Sequence, residues 1–177
     1  MRVLVLFKVA VATAFRSEGH DVCHVNPDPI VEHDILPELD MCMAPTVEFD
    51  LVWATPPMLP YRLGRFIFCQ PRDGEEELMR KTIEIIAYYR PRTWFIENWR
   101  KEMLRHRHHL GEMTYRDVEY EFYGATLHKI MRVWTNCYCW EQRTVPVKQI
   151  DLRKCTLEES ISTPPALVEE IMGAIRK

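Results

Sequence analysis

Short, mostly apolar runs alternate with segments of helical character along this chain. The runs Val3–Phe7, Phe49–Ala54 and Thr93–Glu97 are typical of strands buried on both faces. Between the last two lies the clearest helix, Glu75–Arg90, with acidic residues in its first turn and apolar residues at helical spacing. This alternation predicts an α/β domain with a mainly parallel sheet and helices on both faces.

The remaining predicted elements are shorter. They are a helix at Thr13–Gly19, strands at Val22–Val25, Val118–Tyr123 and Met131–Thr135, and a last helix that begins at Thr163-Pro164-Pro165. Long loops are predicted at Asp34–Glu48 and Pro57–Gly74. Both follow predicted strands, where open α/β sheets place their sites.

Composition narrows the class of protein. The length of 177 residues predicts a single domain over residues 1–177, and 47% hydrophobic with 28% charged residues is ordinary for a globular chain. A net charge of -3 excludes a strongly basic protein that binds nucleic acid through its overall positive charge. No apolar stretch reaches the roughly 18 residues of a membrane span. Six cysteines are too few for a disulfide scaffold, so we expect an intracellular, reducing compartment.

Seven segments, taken in order, resemble the small cytosine-C5 DNA methyltransferases. They are Leu4-Val-Leu-Phe7, Gly19-His-Asp-Val-Cys-His-Val-Asn26, Asp34-Ile-Leu36, Phe49-Asp-Leu-Val-Trp-Ala-Thr-Pro-Pro57, Trp94-Phe-Ile-Glu-Asn98, Arg132-Val-Trp-Thr-Asn136 and Pro164-Pro-Ala-Leu-Val-Glu-Glu-Ile171. The resemblance runs from residue 1 to about residue 175. It implies a Rossmann-like class I methyltransferase fold.

The resemblance also shows where the catalytic nucleophile is missing. In that family a cysteine after Pro-Pro attacks C6 of cytosine, whereas this chain has Met58 after Pro56-Pro57. A thioether cannot form the attacking thiolate. Cys69 lies eleven residues further on and would need a large loop rearrangement to replace it. We therefore expect no catalytic residue of the family's kind.

The cofactor site is altered as well. The family's glycine-rich loop corresponds here to Lys8-Val-Ala-Val-Ala12, which has no glycine and in which valines disfavour a tight turn. Asn26 replaces the acid that takes the ribose hydroxyls, and Asp34 is retained. We expect no bound cofactor, or S-adenosylmethionine if the protein is active. The vestigial cofactor-binding positions are Phe7, Asn26, Asp34 and Pro56.

Four positions of the family's site are retained: Glu97, Asn98, Arg132 and Asn136. The resemblance makes Glu97 the carboxylate that holds the base and Arg132 its electrostatic partner. The alternative is that Glu97 and Arg132 form an ion pair that stabilises the end of two strands. Only 27 residues separate Asn136 from Pro164, too few for a separate target-recognition domain.

Two further groups of residues suggest other sites. The histidines at 106, 108 and 109, with Cys137-Tyr-Cys139, could bind zinc, but Cys-x-Cys fits no standard zinc spacing, so we expect no metal. A stretch of arginines interleaved with tryptophans is the strongest candidate for contact with a partner, and a solvated charged face is the alternative. The predicted partner-binding residues are Trp99, Arg100, Arg105 and Arg107.

Two functions remain open on this sequence. The first is a degenerate methyltransferase-like protein that no longer catalyses and serves as a binding or structural subunit, with protein or nucleic acid as its partner. The second is an active DNA cytosine-5 methyltransferase with a divergent site, whose partner would be DNA. The first is favoured because nucleophile, glycine loop and ribose acid are all replaced.

Overall fold

The computed structural model describes residues 1–25, 47–56, 73–100, 110, 113–125, 129–144 and 163–176. Its elements, in chain order, are β1 Arg2–Leu6, α1 Val9–Ser17, β2 Asp21–Val25, β3 Leu51–Ala54, α2 Asp73–Tyr89, β4 Thr93–Trp99, β5 Tyr115–Glu119, a 3-10 turn Tyr120–Tyr123, β6 Ile130–Thr135 and α3 Pro165–Ile175. Within these residues no helix is both long and apolar enough to cross a membrane.

The described strands form one sheet in the order β2-β1-β3-β4-β6-β5. Strands β1 to β4 pair in parallel, and β6 runs antiparallel to both β4 and β5. The predicted mainly parallel α/β sheet is therefore confirmed. The antiparallel direction of β6 brings its start beside the end of β4.

Helices cover both faces of the sheet, as predicted. Phe15 of α1 and Ile171 of α3 pack with Val5 and Trp53 on one face. On the other face Ile85 of α2 packs with Leu4, whose side chain alternates with that of Val5. Each central strand is buried on both sides, which explains its continuous apolar run.

One partly buried carboxylate ties α3 to the rest of this face. Glu170 of α3 accepts hydrogen bonds from the Tyr123 hydroxyl at 2.8 Å and the Trp140 indole N–H at 3.0 Å. Its other oxygen accepts one from Arg143 Nε at 2.6 Å. Burial raises the pKa of Tyr123, and the adjacent Glu170 carboxylate acts in the same direction.

Two predicted elements differ from those observed. Helix α1 begins at Val9 rather than Thr13, because the turn after β1 uses only Phe7, at φ +75°, and Lys8. The strand predicted at Val118–Tyr123 lies at Tyr115–Glu119, and the chain then turns through the 3-10 segment to Gly124 at φ +85°. The two tyrosines that favoured a strand, Tyr120 and Tyr123, are instead buried in that turn.

Phe15 anchors α1 on the sheet and supplies a test of this packing. Its ring is fully buried, 6.2 Å from that of Trp53. We expect Phe15→Ala to lower the free energy of unfolding by about 3–5 kcal/mol, because the cavity cannot close. Val9→Ala, at an exposed position of the same helix, should change it by less than about 0.5 kcal/mol. Urea denaturation of both variants measures this, and equal effects would contradict the packing.

Candidate functional site

The parallel strands bring three polar side chains to one edge of the sheet. Leu6, Ala54 and Ile96 are aligned across β1, β3 and β4. The residues that follow them therefore meet beyond this edge, where α/β sheets place their sites. Lys8 follows β1 and Thr55 follows β3, while Glu97 continues β4.

The Glu97 carboxylate is the centre of this edge. Its side chain is fully buried, and Oε2 accepts a hydrogen bond from the Thr163 hydroxyl at 2.9 Å and a longer one from the Thr55 hydroxyl at 3.4 Å. Lys8 Nζ lies 3.7 Å from the same oxygen. Oε1 is also buried and has no hydrogen-bond partner among the described residues. One carboxylate oxygen is therefore contacted from three separate parts of the chain, and the other has no hydrogen-bond donor among the described residues.

Lys8 reaches Glu97 from the turn between β1 and α1. Burial lowers the pKa of Lys8 from its usual 10.5, and the Glu97 charge opposes that shift. The ammonium lies 5.9 Å from the centre of the Tyr120 ring, whose hydroxyl donates to Thr163 Oγ1 at 3.3 Å. Tyr120, Thr163 and Glu97 thus form a hydrogen-bonded chain beside the lysine.

Arg132 does not contact Glu97, so both the expected electrostatic partnership and the expected ion pair are wrong. Its guanidinium binds Asp117 through Nε–Oδ1 at 2.6 Å and Nη2–Oδ2 at 2.9 Å, and lies 4.0 Å from the centre of the Tyr115 ring. Asp117 raises the pKa of Arg132. The reason is strand register: Glu97 faces Val133, so Arg132, next along β6, projects to the opposite face.

Asn98 holds the start of the segment that carries Met58. Its Nδ2 donates to the Pro56 carbonyl at 3.2 Å, and its Oδ1 accepts from the Trp99 N–H at 2.7 Å. This contact joins the end of β4 to the chain after β3. Met58 itself lies outside the described residues.

The predicted partner-binding residues are only partly described. Trp99 is the last residue of β4, pairs with Met131 and packs partly against the core. Arg100 is half exposed, and its Nε lies 3.3 Å from Asp117 Oδ2. Arg105 and Arg107 lie outside the described residues.

Of the predicted cofactor-binding positions, too, some lie within the described residues and others lie outside them. Phe7 takes φ +75° and donates its N–H to the Val25 carbonyl at 2.7 Å, and it is partly buried with the α2 side of the core. Asn26 and Asp34 lie outside the described residues, as do Cys69 and the histidines at 106, 108 and 109. Within the described part of the chain, no three metal-ligating side chains come together.

The sequence did not single out Lys8, Thr55 or Thr163 as members of the site. A signal existed for the first two, since each stands directly beyond a predicted strand of a parallel sheet. Thr163 is brought in from the far end of the chain by the packing of α3, which no local pattern indicates.

The comparisons with known proteins concern the fold. No protein-family model matches the sequence, and no curated protein matches it. A prophage-encoded E. coli protein assigned as a DNA modification methyltransferase has a similar structure, with TM-score 0.51 and 14% identity over 84% of this chain and 53% of that one. A mutant DNMT2 of Spodoptera frugiperda gives TM-score 0.37 and 13% identity over 85% of this chain and 53% of that one. The chain spans about half the length of these proteins and shares the methyltransferase fold of the first.

The Lys8–Glu97 contact can be tested by a double-mutant cycle. Lys8→Met keeps the length of the side chain and leaves the Glu97 charge buried without its cation, so we expect the free energy of unfolding to fall by about 3–5 kcal/mol. Adding Glu97→Gln should recover most of that loss, because the buried charge is then gone.

Arg2→Met is the matched control, because the Arg2–Asp21 pair is exposed to solvent. It should cost no more than about 1 kcal/mol. Chemical denaturation of the wild type, the two single variants Lys8→Met and Glu97→Gln, and the double variant gives the coupling energy of the cycle. Additive effects of the Lys8 and Glu97 substitutions would show that the two side chains do not interact.

Proposed function

We propose that this protein is a methyltransferase-fold protein that does not methylate cytosine and serves as a binding or structural subunit. The observation that carries the proposal is the position of Lys8. Lys8 stands where the resemblance implies a glycine-rich loop, and its side chain extends over the carboxyl end of the sheet. Its ammonium lies 3.7 Å from the carboxylate of Glu97, the residue that the resemblance implies to hold the base. A ligand reaching Glu97 from this side has to displace a lysine whose side chain is only 15% exposed.

The turn after β1 further supports an altered cofactor site. S-adenosylmethionine, the methyl donor of the family that the chain resembles, would need an open glycine loop for its amino-acid part. Here Val9 to Ala12 are already helical, and the whole connection is Phe7 and Lys8. The described residues at this turn therefore do not fit the cofactor in the way that the resemblance implies.

The second candidate is an active DNA cytosine-5 methyltransferase with a divergent site. One observation favours it: Glu97 Oε1 is buried and lacks a hydrogen-bond partner among the described residues. A buried polar atom of this kind costs stability unless a donor reaches it, and an exocyclic amino group of a base is such a donor. The two candidates differ in their prediction for cofactor binding.

We expect no saturable binding of S-adenosylmethionine at submillimolar concentration. The physical reason is the short turn and the lysine side chain at the place of the glycine loop. Isothermal titration calorimetry of the folded protein measures the binding directly, with Arg2→Met as a matched surface variant. A micromolar dissociation constant would overturn the proposal and favour the enzyme.

Restoring the nucleophile alone should not restore chemistry. We expect Met58→Cys to transfer no labelled methyl group to DNA, because a thiolate is of no use without a bound methyl donor. Met58→Leu is the matched control for any change in folding or DNA binding. Labelled product from the cysteine variant alone would show that the cofactor site works.

The partner surface is proposed on the stretch from Arg90 to Arg107, in which arginines are interleaved with tryptophans. Because Trp99 also packs on the core, its replacement would weaken the fold, and the arginines give the cleaner test. We expect Arg105→Ala with Arg107→Ala to reduce recovery of a bound partner, and to do so less at moderate salt, where screening already weakens the contact.

The measurement is a pull-down from lysate at two salt concentrations, together with anisotropy of a labelled DNA duplex. Trp99→Ala is assayed beside the double arginine variant, and Arg2→Ala serves as the control. Equal recovery for every variant would exclude this surface.

A further inference from the structure

The cysteines at the end of β6 form a pair that the proposed function does not use. Cys137 Sγ and Cys139 Sγ lie 3.4 Å apart, in contact, on the turn that follows the strand. Cys137 is buried in the core on the α1 and α3 side of the sheet, whereas Cys139 is exposed. One thiol of the pair is therefore open to a reagent and the other is shielded behind it.

The fold holds this turn in place from both sides. The Cys137 N–H donates to Thr135 Oγ1 at 2.9 Å, and the Asn136 side chain bridges to β4 through the Trp94 N–H at 2.9 Å and the Arg92 carbonyl at 3.1 Å. The Cys139 thiol lies 3.5 Å from the Ala174 carbonyl near the end of α3. The two sulfurs are thus kept together by the folded chain and not only by their closeness in sequence.

We propose that Cys137 and Cys139 are a redox-sensitive dithiol that closes to an intrachain disulfide by exchange with a small-molecule disulfide such as oxidised glutathione. The contact distance requires only a small rotation of the side chains to reach the bond length of about 2.05 Å. Each sulfur already has its partner within reach, so ring closure needs no unfolding. The proposal is independent of whether the protein methylates DNA.

The exchange runs in two balanced steps. The exposed Cys139 thiolate attacks one sulfur of the oxidant, the oxidant's disulfide bond breaks, and the first glutathione leaves as a thiolate that takes up a proton. The Cys137 thiol then loses its proton and attacks Cys139 Sγ, which releases the second glutathione. The two protein thiols are oxidised, and one oxidised glutathione is reduced to two thiols.

The second step should be the slower one at neutral pH. Burial raises the pKa of the Cys137 thiol to about 11, and the Cys139 sulfur beside it acts in the same direction. Because only the thiolate attacks, closure should become faster as the pH rises toward that value. A mixed disulfide on Cys139 is the expected intermediate.

The test uses the full chain and one tryptic peptide. The reduced protein is exposed to oxidised glutathione, its remaining thiols are blocked with N-ethylmaleimide, and it is digested with trypsin. Residues Val133–Arg143 form a single peptide with both cysteines and no other. We expect this peptide to lose two hydrogen atoms and to take up no maleimide.

Two variants distinguish the roles of the thiols. Cys137→Ser should trap glutathione on Cys139, because no second thiol can displace it. Cys139→Ser should leave Cys137 unmodified, because its sulfur is shielded. Cys23→Ser, which removes an exposed cysteine of β2, is the control and should close the ring like the wild type.

A comparison with the isolated peptide tests the contribution of the fold. The folded chain should close the ring about tenfold faster than the free Val133–Arg143 peptide, because the free peptide loses conformational entropy when its two sulfurs come together. Equal rates would overturn the proposal. So would two maleimide labels on the peptide from the folded chain, or a cross-link from it to a different cysteine.

Discussion

The buried charge of Glu97 is the constraint on which the carboxyl edge of this sheet depends. A carboxylate fully removed from water is tolerated only with hydrogen bonds and a countercharge, and here these come from three separate parts of the chain. Lys8 sets the position of the β1–α1 turn and Thr163 sets the start of α3. The same group therefore fixes both helices of one face relative to the strand that carries it.

The fold could be read from the sequence because its signals are local and redundant. A valine-rich apolar run such as Val3–Phe7 indicates a strand buried on both faces. Apolar residues at helical spacing, as in Glu75–Arg90, indicate a helix that packs on the sheet. The error at Val118–Tyr123 has a physical cause. Buried aromatic residues favour a strand by propensity, but Tyr120 and Tyr123 are buried in a 3-10 turn whose hydroxyls bind Thr163 and Glu170.

The site was less predictable because its contacts depend on register and on distant chain segments. The resemblance paired Glu97 with Arg132, yet the residue opposite Glu97 on β6 is Val133, and consecutive residues of a strand project to opposite faces. Knowledge of the exact pairing between β4 and β6 would have been needed to see this. The role of Lys8 depends in turn on a two-residue connection, whose length no periodicity reveals.

Helix α3 is held at three points along its length by polar contacts. Just before the helix, the Thr163 hydroxyl donates to Glu97. Further along α3, Glu170 accepts a hydrogen bond from Tyr123. Near the end of the helix, the Ala174 carbonyl contacts the Cys139 thiol. The apolar face of α3 already resists sliding along the helix axis, because its side chains interdigitate with those beneath them. Hydrogen bonds cannot follow such a movement, because their strength falls steeply with distance and angle. The axial position of α3 is therefore fixed at both ends and near the middle, so the helix can shift along its axis only as one unit.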